Sequence, residues 1–463
     1  MSTIINTKLA DHKGYKRLWM EGAKLAREGY RPGMRYDLEI RDTQVFLRIC
    51  DSGKYKISKR ERNGNVSPII DLTAKELADI FDGIEMLRVA IKAGTIIVSA
   101  HHQHQRVKER VGRLLDKVTT GKPLKVCSLF HGGGILDKAV HQGLSEAGIA
   151  SKLAIAVELE GKYLDSSLRN NPELWDDNSL VVESPVQHVN LSRNPPQVDL
   201  LMGGIPCTGA SKSGRSKNRL EFAESHEAAG AMFFTFLEFA KVLNPAMILI
   251  ENVKDYLNTA SMAVIRSVLA TLGYQLHERV LDGCEFGVLE KRERLCVIAI
   301  SEGVQGFDLD AVHPVRPKES CLGDILEDVP HDSPRWKSYT YLADKEERDK
   351  KAGKGFARQL LSMASESCGT IGRGYNKVRS TEPQLVHPTN PDLTRLFTPV
   401  EHCRVKGIPE SVISGLSDTV AHEVLGQSVI FPMFQAVAKE LGISISQWAM
   451  KATSSMPTEA NAA

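Results

Sequence analysis

The chain has 463 residues, 42% hydrophobic and 25% charged, with a formal net charge of +2. This is globular composition, long enough for one large domain with appendages or for two to three domains, and it excludes a polycation: any nucleic-acid surface must come from local clustering of charge. No apolar run approaches the roughly 18 residues that cross a bilayer. Eight cysteines, none paired as C-x-x-C, behind a start without a secretory leader, point to reduced thiols in a cytoplasmic protein without a membrane anchor or a zinc ribbon.

Residues 1–122 read as a small α+β extension with no assigned role. "YDLEIRDTQVFLRI" alternates like an edge strand, "TAKELADIFDGIEMLRVAIKAG" has the spacing of a capped amphipathic helix, and "HQRVKERVGRLLDKVTTGKP" reads as a basic helix ending in a linker with Gly121 and Pro123. That helix either extends a DNA footprint or packs on the next domain. Consecutive histidines at 101–104 do not share a helix face, so they read as surface, and no metal is expected.

Between 123 and 301, "KVCSLF", "LAIAVE", "SLVVE", "VDLLMGG", "AMILIEN" and "ERLCVIAIS" read as buried strands, separated by stretches with helical spacing. Such alternation predicts a mostly parallel sheet with helices on both faces and ligands at the carboxyl ends of the strands. Residues 302–394 lose the period to prolines, glycines and charges and read as a separate loop-rich module. Helical periodicity returns over 395–448, and 449–463 read as a disordered tail.

The candidate site residues fall at strand ends. In "SLFHGGG", Phe130, Gly132 and Gly134 follow a strand and open a helix, where the backbone can approach a ligand closely. Glu158 ends the next strand, where a carboxylate accepts from ribose hydroxyls, and Glu183 ends the third, where it can meet an adenine amino group. Cys207 follows Pro206 on a turn after the fourth strand, and the basic run behind it favours a thiolate. In that run Ser211, Lys212, Arg215 and Lys217 are placed to hold phosphates. The fifth strand delivers Glu251 and Asn252 to the same edge, where a carboxyl can donate to a substrate nitrogen. Arg292 and Arg294 alternate on one strand and so share a side. Each residue also has a plainer reading: a tight connection, a solvated carboxylate, a packed thiol, a capping acid or a charged edge.

Taken in order, "SLFHGGG", "AVELE", "GGIPCTGAS", "IENV" and "EKRERL", then a variable stretch, "RLFTPVEHCRVKGIP" and "GQSV", resemble the motif series of DNA cytosine-5 methyltransferases from Lys125 to about Gly442. The resemblance implies an α/β, Rossmann-like S-adenosylmethionine-dependent methyltransferase domain with a mixed, mostly parallel sheet at 123–301. It also implies a target-recognition domain at 302–394 and a C-terminal return at 395–448. By resemblance Cys207 is the nucleophile that adds to C6 of a flipped cytosine, and Pro206 shapes its turn. Glu251 is the acid at N3 and the exocyclic amine, and Arg292 and Arg294 support the base and its O2. Phe130, Gly132, Gly134, Glu158 and Glu183, joined by Gln427 and Ser428, match the cofactor-contacting positions. Arg373, Lys377 and Arg379 are the candidates for reading sequence in the major groove.

The chain departs from the usual pattern at Thr208, Glu290 and Gln427, where glutamine, glutamine and asparagine are usual, and at Ile135, where glycine is. The expected partner is double-stranded DNA, with a cognate restriction endonuclease in the cell and a monomeric enzyme. A tRNA cytosine methyltransferase and a catalytically silent DNA-binding relative are the alternatives.

Overall fold

The computed structural model describes residues 2–12, 15–206 and 232–454, and the chain divides into two compact units, residues 1–109 and 110–463. The larger unit is built on seven strands: β1 (Leu124–Leu129), β2 (Ser151–Glu158), β3 (Leu180–Glu183), β4 (Leu200–Gly204), β5 (Met247–Val253), β6 (Tyr274–Asp282) and β7 (Glu293–Ser301). Their order across the sheet is β3-β2-β1-β4-β5-β7-β6. β1 to β5 pair in parallel, and β7 runs antiparallel to both β5 and β6. This is the expected α/β, Rossmann-like architecture with a mixed, mostly parallel sheet.

The apolar runs are continuous because both sheet faces are covered, so successive side chains enter two different cores. Met247 and Leu249 join one core with Val126, Met202, Ile298, Ala139 and Phe434. Ile248 and Ile250 join the other with Leu129, Leu201, Val297, Phe236 and Ile265. β6 is the strand that the apolar runs do not reveal: among the described residues it pairs with β7 alone, and its half-buried middle carries His277, Glu278 and Arg279 after exposed Gln275, so it lacks a hydrophobic run.

Two helices cross closely on the first face. A Cβ at Gly143 of helix Ile135–Glu146 would come within 2.2 Å of Gln435 O, and one at Gly442 of helix Phe431–Ser454 within 2.6 Å of Ala147 Cβ. Glycine at both positions lets the C-terminal helix seat on the sheet's covering helix. That helix runs to Ser454, so the tail expected from 449 is helical over its first residues; 455–463 lie outside the described residues.

The basic helix expected near 104–123 spans His102–Thr120, and from Arg110 onward its cations turn inward. Arg110 is 1% exposed, bonds Ser301 Oγ at 2.7 Å and Gly273 O at 2.6 Å, and stacks on the Tyr274 ring at 3.7 Å. Arg113 and Lys117 both pair with Asp199, which is fully buried and also accepts the Lys125 N–H at 2.7 Å. These charges brace the entry to β1 and β4, not a DNA surface. Removing one partner of a buried pair typically costs about 3–5 kcal/mol. Asp199→Ala should therefore lower the urea midpoint of unfolding sharply; a midpoint equal to wild type would show the brace to be dispensable.

Leu322, Ile371, Tyr375, Leu385 and Phe397 share a separate core with Leu289 and Val405, beside a three-stranded sheet of Gln359–Leu361, Pro383–Val386 and Thr394–Arg395. Helix Pro399–Val405 follows, opened by Thr398 and Glu401 in a reciprocal capping box with proline at its first position.

The smaller unit holds a six-stranded and a four-stranded antiparallel sheet around Leu18, Tyr36, Leu47, Leu72, Phe81, Val89 and Val98. Two expectations are corrected. "YDLEIRDTQVFLRI" is a hairpin of Arg35–Arg41 and Gln44–Ile49 turning at Asp42, whose φ is 51°, and both strands have a neighbour on each side. The stretch read as one helix is a short helix, Lys75–Ile80, broken at Gly83 (φ 69°) and followed by strand Met86–Lys92. The strand is favoured because it pairs on both sides, with Ser2–Lys8 and Thr95–Ala100, and these ladders outweigh helical spacing.

Candidate active site

The first half of the site is the loop after β1. Phe130 and Gly132 take positive φ, 57° and 58°, and Gly134 (φ 73°) is the left-handed N-cap of helix Ile135–Glu146. A Cβ at Gly134 would lie 2.3 Å from Ser167 Oγ and 3.0 Å from His131 Nε2, so glycine is required there for space as well as for φ. Beneath the loop, buried His131 bonds Ser167 Oγ at 2.8 Å and lies 3.1 Å from Asp137, while Asn171 Nδ2 donates to Gly133 O at 3.1 Å. These four side chains hold the loop rigid. None was singled out in the sequence, because only the fold brings 131 and 137 to 167 and 171.

Glu158 ends β2 and accepts the Gly132 N–H at 2.6 Å and the Glu160 N–H at 3.0 Å, one on each oxygen. Each oxygen keeps a lone pair for a further donor. Glu183 pairs in register beside it on β3, exposed, with its carboxyl over Gly161. Gln427, exposed at the end of helix Asp418–Gln427, has its Nε2 3.6 Å from where a Gly132 Cβ would stand. Ser428 donates back to Leu425 O at 2.6 Å and so closes that helix. Phe130, Gly132, Gly134, Glu158 and Gln427 therefore meet at one edge, with Glu183 next to them.

The second half lies on the same edge across β4 and β5. Gly204 and Glu251 are register partners on parallel strands. Arg294, opposite Val253 on β7, places Nε 2.9 Å from Glu251 Oε1. Glu251 Oε2 lies over Gly204, where a Cβ would come within 2.9 Å. Buried Asn252 donates to Ile205 O at 3.0 Å, pinning the turn that leads into Pro206. Cys207, Thr208, Ser211, Lys212, Arg215 and Lys217 lie outside the described residues.

The two arginines expected as equivalent neighbours on one strand have separate anchors. Arg292 precedes β7 and is 5% exposed, its Nη1 3.4 Å from both Glu290 Oε1 and Ile371 O. Arg294 belongs to Glu251. Arg373, Lys377 and Arg379 are exposed on the segment after Ile371. The Arg373 guanidinium stands 5.4 Å from the Tyr163 ring, beside the helix that follows β2.

Beside this segment His402 and His422 stack with their Nδ1 atoms 3.0 Å apart. Burial pushes His422 down to about 4, and burial followed by Lys406 holds His402 well below its usual value. A histidine with a depressed folded value contributes stability that is complete above its unfolded value near 6.5 and is lost as pH falls toward the folded value. Unfolding free energy should fall by about 3 kcal/mol between pH 6.5 and 4 through His422 alone, with a further loss through His402. His422→Gln should flatten that slope in urea titrations; an unchanged slope would assign the acid sensitivity elsewhere.

The model of the C-5 cytosine-specific DNA methylase family matches residues 124–442. The chain belongs to that family. Among characterised relatives it is similar to the Type II methyltransferase M1.ScrFI of Lactococcus lactis subsp. cremoris, 30% identical over 255 residues, 53% of this chain and 62% of that protein. The Type II methyltransferase M.NlaX of Neisseria lactamica is 30% identical over 262 residues, 54% of this chain and 78% of that one. The chain thus spans less than two thirds of M1.ScrFI. Among solved structures, S. pombe Dnmt2 methyltransferase shares the fold at a TM-score of 0.54 and 21% identity, over 71% of this chain and 99% of that one. The Entamoeba histolytica methyltransferase EhMeth does so at 0.53 and 18%, over 72% and 99%. Both halves of the site lie inside the family match, and residues 1–123 precede it.

Proposed function

We propose that this chain is a DNA cytosine-5 methyltransferase, which moves a methyl group from S-adenosyl-L-methionine to C5 of a cytosine flipped out of a specific duplex sequence. The observation that carries the reading is one edge of one sheet. It presents a glycine cradle with a carboxylate, and beside it Glu251 with Arg294, at the strand tip from which the chain runs through Pro206 into Cys207. The cradle fits an adenosyl group: Gly132 leaves no side chain between the backbone and Gln427, and Glu158 keeps acceptor capacity at its rim. When bound, the sulfonium supplies an electrophilic methyl group.

The residues then divide the work. The Cys207 thiolate adds to C6, and the C5–C6 π pair moves to C5 as Glu251 satisfies N3 and the exocyclic amine. Arg294 holds Glu251 and faces the base. C5 takes the methyl group as the S–CH3 bond breaks and its electron pair stays on the donor sulfur, leaving a neutral thioether; C5 then loses its proton to a base, and the re-formed C5–C6 double bond expels the Cys207 thiolate. Lys212, Arg215 and Lys217 contact phosphates, while Arg373, Lys377 and Arg379 read the groove. A monomer acting in the cytoplasm, alongside a cognate restriction endonuclease, completes the proposal.

The test is radiolabelled methyl transfer to duplex DNA against total tRNA, with trapping on a 5-fluorocytosine duplex, whose C5 fluorine cannot leave as a proton does. Label in DNA and a stable adduct are expected. Label in tRNA alone would move the substrate class, and no adduct with either would leave a silent relative. Bisulfite sequencing of a host genome expressing the chain would then give the target sequence.

A further inference from the structure

Behind Arg294 lies a buried ionic group. Glu290 and Lys406 are both fully buried, and Arg292 is nearly so. Lys406 Nζ lies 2.8 Å from Glu290 Oε2, an ion pair closed off from water. Glu290 Oε1 faces Arg292 Nη1 and accepts the Ile371 N–H at 3.0 Å. The backbone around Glu290 is bound on both sides. Its own N–H reaches Val405 O, Lys291 N–H reaches Cys368 O, and Cys368 N–H reaches Leu289 O. One carboxylate therefore meets three pieces of chain: the lead-in to β7, the recognition segment at 368–371 and the end of helix Pro399–Val405.

Past Ile371 the segment crosses the cofactor edge. A Cβ at Gly426 would lie 2.2 Å from Gly372 O and 2.6 Å from Arg373 N, so the backbone bearing the groove-reading candidates touches the helix that ends in Gln427. A surface salt bridge cannot provide such a junction, because water competes for it. A buried one holds its geometry, because separating the charges leaves each unsolvated.

We propose that Glu290, paired with Lys406, is a positioning residue that couples the target-recognition segment to the catalytic edge, setting Arg292 and the strand of Arg294 only while the segment at Ile371 is docked. The inference rests on the methylation reading of Arg292 and Arg294. It also accounts for Glu290 standing where the family usually has glutamine: here the neighbour is the Lys406 cation, and a neutral amide would leave it unpaired.

The test compares the full-length wild type with E290Q, E290Q/K406Q and E290M/K406M by thermal unfolding, by kcat and AdoMet KM on duplex DNA, and by hydrogen exchange of the peptide containing Ile371. E290Q strands the lysine and should lower kcat at least tenfold, with AdoMet KM within twofold. E290Q/K406Q keeps an acceptor for Ile371 and Arg292 and should recover kcat to within threefold. E290M/K406M removes both charges and all acceptors. It should melt within a few degrees of the glutamine pair yet remain at least thirtyfold slow, with Ile371 protection lost.

A role in stability alone predicts instead that kcat follows melting temperature, and kcat within threefold of wild type in a folded E290M/K406M would overturn the coupling. If that variant does not fold, unchanged kcat in E290Q overturns it equally. Hydrogen exchange separates the two readings. Lost protection in the E290M/K406M protein, beside a wild type that methylates no DNA, sinks the methylation reading and keeps the docking; retained protection sinks the docking itself.

Discussion

Cys207→Ser is expected to abolish methyl transfer while leaving duplex binding within a fewfold of wild type. A hydroxyl at neutral pH is a far weaker nucleophile than a thiolate, and nothing else among the proposed residues can form the bond to C6. Removing a covalent nucleophile typically costs at least about 10⁴-fold in kcat. The affinity for DNA resides in phosphate and groove contacts, which the substitution does not touch. Radiolabel incorporation under single-turnover conditions, read beside a gel-shift titration at fixed salt, checks both halves. Turnover within a hundredfold of wild type would remove Cys207 from the mechanism, and loss of binding in step with turnover would make it a structural residue.

Glu251→Gln should be the next most damaging change. Addition of sulfur to C6 pushes electron density toward N3, and a carboxyl at that position can carry a proton there, whereas an amide can only donate a hydrogen bond. Loss of a positioned general acid costs about 10²–10⁴ in rate. The substitution also replaces the charged pair with Arg294, now at 2.9 Å, by a neutral contact, while Arg294 keeps its hydrogen bond to Glu293 O. The loss should fall on kcat, with AdoMet affinity unchanged, because the glycine cradle is held by Glu158, His131 and Asn171. Pre-steady-state transfer rates together with AdoMet titration decide it. A rate within tenfold of wild type would deny Glu251 its role at N3, and weakened AdoMet binding would place it in the cofactor pocket.

Much of the seven-stranded sheet was legible because strands buried on both faces write themselves as apolar runs, and six of the seven read so, the exposed edge strand Leu180–Glu183 among them. The seventh, Tyr274–Asp282, stayed hidden because a strand with one neighbour among the described residues can keep polar residues along its half-buried middle. The N-terminal unit misled for a related reason. Helical spacing over 73–94 is real, but Gly83 and two neighbouring strands decide for a short helix and a ladder. For the basic helix His102–Thr120, composition left open a DNA footprint or packing on the next domain; from Arg110 onward its cations turn inward, because Asp199 and the carbonyls of Leu272 and Gly273 lie beneath them.

By itself the sequence determined the strand-tip chemistry of this protein: which residue types end which strands, and in what order, since alternation and strand length alone place Glu158, Pro206 and Glu251 at one edge. Only the tertiary structure decided what holds those tips in place. The His131 cluster under the loop, the Asn252 tie to Ile205, and the Glu290–Lys406 junction join residues dozens to more than a hundred positions apart. Such partners carry no local period; they are chosen by the cost of leaving a charge or a hydrogen-bonding group unpaired once the sheet has closed over it.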